Sequence, residues 1–300
     1  MLKLCSSNAG VNVTKTAFFL GLLLAGLAGG LHADEWSQQV KAAVASQKQG
    51  DLKGAEKQLL SALMTAEKFE DSDPRAAYTL DYLGTLYQMR KMDDEALRVY
   101  EQALKGFDKS LGPNSEESRS EAQRLAEACE ATEHWDKSEP LRRRLLAVRR
   151  ADPKAEPIAL AQDISDLALS LDAQKKWDEA MTLYDEVLRL RENALGPWST
   201  EVAETLNNQG RVHLLRGELK AAEDLLRRAL SVDQKALGMD HSVVADDRRR
   251  LAAVLKKAGR AAEAEEQETL AAAADAAAAL RPSKTAPQPT PKAVPRPGAQ

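Results

Sequence analysis

Residues Ala194–Gly238 read ALGPWSTEVAETLNNQGRVHLLRGELKAAEDLLRRALSVDQKALG. On each side of Gly217, apolar residues fall three and four apart, which is the spacing of two amphipathic helices. Gly217 sits where a helix C-terminus takes a left-handed residue, and Leu219 opens the second helix. Gly210 and Ala222 are small where the two helices of a hairpin have to approach. One helix–turn–helix unit is therefore written into this stretch.

The unit recurs in both directions. Small residues step by 42 through Gly84, Ala126, Ala168, Gly210 and Ala252, and again through Ala96, Ser138, Ala180, Ala222 and Ala264. A third column runs Ala103, Val187, Ala229 and Ala271, interrupted by Leu145. Shifted by 41, the pattern finds Ala43, Ala55 and Ala62 in a first, weaker unit. Self-similarity at such a period marks a solenoid, whose units bury their apolar faces by stacking on their neighbours. Six hairpins and twelve helices are expected. Helix starts are read at Asp73-Pro74, at Asp152-Pro153 and at Asn114 with Glu117, where a capping side chain precedes a first-turn proline or glutamate. The sixth hairpin ends in AAAADAAAAL and reads as a terminal cap.

These columns resemble the tetratricopeptide repeat, with Leu52, Trp135, Trp177 and Leu219 in the large-residue column after the turn. The 42-residue step exceeds the usual period of about 34, and this longer form looks like the repeats of kinesin light chains. The Leu-Gly ends at Leu111, Leu195 and Leu237 and the Leu206-Asn207-Asn208 triplet carry the likeness. It implies an all-α fold, a right-handed superhelical solenoid of about six helix-turn-helix repeats. It also implies a scaffold that binds a protein or extended peptide along its first helices.

The ends read differently from the middle. Residues 1–33 are expected to be a signal peptide, with Lys3 and Lys15 ahead of the 15-residue apolar run from Ala17 to Leu31 and a cut after Ala33. An uncleaved signal anchor is the alternative, although the run is shorter than the roughly 20 residues of a comfortable membrane span. Residues 34–280 form the repeat array. Residues 281–300, RPSKTAPQPTPKAVPRPGAQ, have six prolines and no acid and are expected to be a disordered tail. A periplasmic or secreted location follows from the leader.

The chain of 300 residues has a formal net charge of −4, which makes it a poor candidate for nucleic acid or anionic membrane, and a membrane is expected only if the leader stays uncleaved. No catalytic constellation, metal site or cofactor motif is found, so the chain is read as a non-enzyme with no cofactor. His213 and Cys129 share a helical column and read as packed side chains. Arg142, Arg143 and Arg144 read as a solvated outer face.

By the resemblance, the groove is lined by Tyr78, Asp81, Thr85, Glu127, Gln162 and Asp172, and then by Asn207, Asn208, Arg211, Arg249, Arg250 and Lys256. The last six are the candidate peptide-binding residues. An amide at Asn208 offers donor and acceptor together to a peptide backbone, and the cations suit an acidic segment. The plain alternative for Asn208 is that it only solvates the groove. For the whole chain, the leading expectation is an adaptor in a bacterial envelope complex. The alternative is a self-associating structural protein whose tail reaches wall or membrane.

Overall fold

A computed structural model describes residues 31–280. The expected leader, apart from residues 31–33, and the proline-rich tail lie outside the described residues. The chain forms two compact units that part between Lys176 and Trp177. The first contains α1 (Leu31–Lys48), α2 (Leu52–Ala66), α3 (Arg75–Met89), α4 (Asp93–Ser110), α5 (Glu116–Ala131), α6 (Trp135–Ala151) and α7 (Pro157–Ala173). The second contains α8 (Trp177–Leu195), α9 (Thr200–Arg216), α10 (Leu219–Leu237), α11 (Ser242–Lys257) and α12 (Ala261–Leu280). Among the described residues there are twelve helices and no strand, as the six-hairpin reading expects.

Every hairpin turn is made the same way. A residue with positive φ stands at Gly50, Lys91, Glu133, Lys175, Gly217 and Gly259. Only half of these are glycine, so the turn geometry is set by the repeat and imposed on lysine and glutamate where necessary. Of the expected helix starts, Asp73 accepts a hydrogen bond from the Arg75 amide at 2.9 Å. The other two move. Ser115, not Asn114, caps α5 by accepting from the Ser118 amide. Asp152 ends α6 and accepts from Lys154 N, while α7 begins at Glu156-Pro157. A second proline four residues on supplies the preset φ at the true start.

The small columns are close-approach points. In the first unit Gly84 of α3 lies against the Tyr100 ring of α4, where an added Cβ would come within 2.3 Å of Cε1. In the second, a Cβ at Gly210 of α9 would come within 2.8 Å of Leu226 Cγ on α10. Ala96, Ser138, Ala180, Ala222 and Ala264 are all buried. The first-unit core gathers Leu83 and Leu86 on Ala43, Ala55 and Leu59, then Leu97, Tyr100 and Leu104 on Ala122, Leu125 and Cys129. In the second unit Leu226 and Leu230 meet Val244, Leu251, Val254 and Leu255.

The third hairpin departs from the alanine pattern for a visible reason. Ser138 hydrogen-bonds Glu130 Oε1, and Arg142 places Nε and Nη2 on the same carboxylate, both at 2.7 Å. Arg142 Nη1 reaches Asp166 of α7 at 2.9 Å. With 6% of its surface exposed, Arg142 is a buried bolt through α5, α6 and α7, which corrects the solvated-face reading. Arg143 pairs with Glu139, Arg144 with Asp108 and Arg149 with Asp163, so this basic run is largely neutralised within its own unit.

Candidate functional site

The first helices carry a buried polar column at the 42-residue step: Thr79, Glu121, Asp163, Thr205 and Asp247. Four of these five are buried, and Asp163 is half-buried. Burial of a polar side chain demands a partner, and the partners stitch neighbouring helices together. Thr79 accepts from Trp36 Nε1 at 2.9 Å, and Thr205 accepts from Arg191 Nη1 at 2.9 Å. Glu121 accepts from Arg124 at 3.1 Å, and Arg124 also pairs with Asp81 of α3. Burial pushes the Glu121 carboxyl up to about 8, leaving it neutral at physiological pH. None of these five residues was among the groove residues expected from the sequence. The signal was there, since the polar residues repeat at the same step as the small ones.

In the second unit this column organises the candidate site. Asp247 of α11 is fully buried and accepts from Asn207 Nδ2 at 2.7 Å and from Arg250 Nη1 at 2.8 Å. Asp233 of α10, also buried, faces it. Burial raises the pKa of both carboxyls, that of Asp233 to about 8 with the Asp247 carboxyl adding to the rise, while Arg250 opposes it at both. Asn207 and Arg250 thus meet through an aspartate. Neither Asp247 nor Asp233 was among the expected residues.

The remaining four candidates are placed separately. Asn208, half-buried on α9, makes no side-chain hydrogen bond among the described residues. Arg211 stands one turn further along α9 and is half-buried. Arg249 pairs with Asp246 and with Asp275 of α12, which holds its guanidinium above the ordinary range. Lys256 reaches Glu268 of α12 at 2.6 Å. Arg250 is therefore tied to the Asn207 side of α11, while Arg249 and Lys256 are tied to α12. The three cations do not form one patch.

In the first unit Tyr78 and Asp172 are buried rather than groove-lining, with Tyr78 donating to Glu117 at 3.2 Å. An open groove of about 480 Å³ lies between α5, α6 and α7. Leu145 and Val148 floor it, with Arg119, Gln123 and the Arg149–Asp163 pair around them. Its lining mixes apolar side chains with charged and amide ones.

Cys129 and His213 are packed as expected. Burial drives the Cys129 thiol up to about 11, far from a reactive thiolate. His213 is half-buried and pairs with Glu218. No group of three or more His, Cys, Asp or Glu side chains suited to a metal occurs among the described residues.

The sequence profile described as tetratricopeptide repeat matches residues 39–109, 158–235 and 201–277, which together span more than half of the chain. The chain belongs to the tetratricopeptide-repeat family. No curated protein sequence matches it. Among solved structures, the nearly identical repeats of a putative kinesin light chain from Podosopora anserina superpose with a TM-score of 0.58 at 19% identity. That comparison covers 69% of this chain and 97% of the other. A tetratricopeptide protein from Parabacteroides merdae gives 0.56 at 16%, over 78% and 77% of the two chains. The apo form of RapI gives 0.52 at 12%, over 80% and 97%. At these identities the likeness speaks for the fold, a kinesin-light-chain-like array of tetratricopeptide repeats. Tetratricopeptide arrays typically serve as protein-interaction scaffolds, presenting extended surfaces to partners.

Proposed function

We propose that this chain is an exported scaffold that holds a protein or extended peptide against the first helices of its second unit, as part of a bacterial envelope complex. The observation that carries the reading is Asn208. Its amide is unused, sits on a helix fixed by the Asn207–Asp247 bond, and stands one turn from Arg211. A donor–acceptor group whose own hydrogen bonds are unmade can grip a peptide backbone without first breaking an internal bond. Among the expected cations, Arg249, Arg250 and Lys256 already have acidic partners. A bound acidic segment would have to compete with those carboxylates, so the cations contribute chiefly to encounter rate and salt dependence. Export rests on the apolar run ahead of Asp34, and N-terminal sequencing of the protein recovered from the envelope tests it.

The binding test is a capture from envelope extract with the full chain, in parallel with Asn208→Ala and with Arg249→Glu plus Arg250→Glu. The captured partner is then titrated calorimetrically. Asn208→Ala is expected to weaken binding about tenfold, roughly the 1.4 kcal/mol of a lost backbone-directed bond. Unchanged affinity for both variants, with loss on altering the groove-lining Arg119, would move the site to the first unit. Light scattering of the free chain tests the alternative reading: a concentration-dependent oligomer would support a self-associating structural protein.

A further inference from the structure

The outer face of α2 differs from the same face of other repeats. Lys53, Lys57, Leu60 and Met64 follow one another at four, three and four residues and so share one side of the helix, and Lys68 follows in the turn just beyond its end. Leu60 is 44% exposed and Met64 69%. The places of Leu60 and Met64 are taken by Glu101 and Lys105 in α4, Asp185 and Arg189 in α8, and Arg227 and Ser231 in α10. This column is polar where the helix faces water. Only the first hairpin puts two large apolar side chains there.

The charges on this face are also unusual for the chain. Lys53, Lys57 and Lys68 are exposed and have no ion-pair partner among the described residues, while most of the arginines are paired. Glu56 is taken up by Arg90, Asp51 caps the helix start and Asp71 pairs with Lys109, which leaves Glu67 and Glu70 as the acids beyond the end of the stripe. Two apolar side chains framed by three free lysines make a small basic, amphipathic surface.

The hairpin also sets this face beside the start of α1. α1 and α2 are antiparallel, and the rings of His32 and Phe69 stand edge to face with centroids 6.5 Å apart. The start of α1 therefore lies at the same end as Met64 and Lys68. In the sequence, the apolar run that begins at Ala17 ends at Leu31, the first residue of α1. Arg75 closes it, its guanidinium 4.2 Å from the Phe69 ring centre and 5.8 Å from that of Trp36.

We propose that the outer face of α2 is a docking surface for a bilayer rich in anionic lipid. Leu60 and Met64 enter the interface, and Lys53, Lys57 and Lys68 meet the head groups. The face lays the hairpin flat on the membrane whether or not the apolar run is retained. The net charge of −4 does not oppose this, because lysines in contact with the head groups act within a Debye length whereas more distant acids are screened. The proposal is independent of what the first helices hold.

The test is an amine-acylation footprint of the full chain, read residue by residue by mass spectrometry. The chain is incubated with vesicles of phosphatidylcholine alone or mixed with phosphatidylserine. On mixed vesicles, acylation of Lys53, Lys57 and Lys68 is expected to slow several-fold and to recover in high salt, while Lys105 and Lys220 react as before. The Leu60→Gln, Met64→Gln double variant keeps the apolar run and is expected to lose the protection, so tethering by the run cannot mimic the result. Equal footprints on both vesicles, or protection retained by the double variant, would overturn the proposal. So would protection that appears without vesicles and grows with protein concentration, which would mean that a second copy covers the face.

Discussion

Gly84→Ala probes the repeat packing with a single methyl group. The new Cβ would stand 2.3 Å from Tyr100 Cε1 and 2.5 Å from Cδ1, far inside van der Waals contact. The ring cannot easily retreat, because Tyr100 is completely buried and its hydroxyl donates to Gln88 Oε1 at 2.9 Å. Overpacking of this kind costs about 1–3 kcal/mol, and the better helix propensity of alanine returns up to about 1 kcal/mol. A net loss of about 1–2 kcal/mol is expected, or a fall in melting temperature of roughly 2–8 °C for a chain of this size. At Gly210 the same methyl group meets Leu226 Cγ and Cδ2 at 2.8 and 2.9 Å, and a leucine can change rotamer. Gly210→Ala is therefore expected to cost less than Gly84→Ala. Adding Tyr100→Leu to Gly84→Ala should remove most of the steric penalty, measured as a coupling in a double-mutant cycle of urea melts. A Gly84→Ala protein as stable as wild type, or a larger loss at Gly210, would refute the close-approach reading of the column.

Three further outcomes follow from buried charge and turn geometry. Because the Glu121 carboxyl is held neutral up to about pH 8 when folded, unfolding releases its proton. Stability should therefore fall as pH rises from the ordinary carboxylate range through about 8, with Glu121→Gln flattening that slope in urea melts at pH 5 and 8.5. Arg142→Met should cost roughly 3 kcal/mol by stranding Glu130 and Asp166, and adding Glu130→Gln should recover part of it if the loss is uncompensated charge rather than packing. Glu133→Gly, at φ 62°, should raise stability by about 0.5–1 kcal/mol in thermal melts, since glycine adopts the left-handed turn without strain.

The sequence by itself determined the number of hairpins, their period and their close-approach points. Gly84, Gly210 and Ala222 could be read because helix contact excludes side-chain volume, and that constraint repeats wherever the geometry repeats. The left-handed turns at Gly50, Gly217 and Gly259 were legible for a similar reason. Those at Lys91, Glu133 and Lys175 were legible only by register with them. Only the tertiary structure decided what each polar side chain does. Arg142 and Arg144 stand two residues apart in one basic run, yet the first is buried between Glu130 and Asp166 and the second lies in a half-exposed pair with Asp108. Arg249 and Arg250 likewise diverge toward Asp275 and Asp247. Successive helical residues point about 100° apart, so neighbours in sequence face different helices. Several of their partners lie far along the chain, 24 positions from Arg142 to Asp166 and 36 from Arg144 to Asp108. An apolar column is fixed by local spacing, whereas a polar contact depends on which distant group the fold brings within about 3 Å.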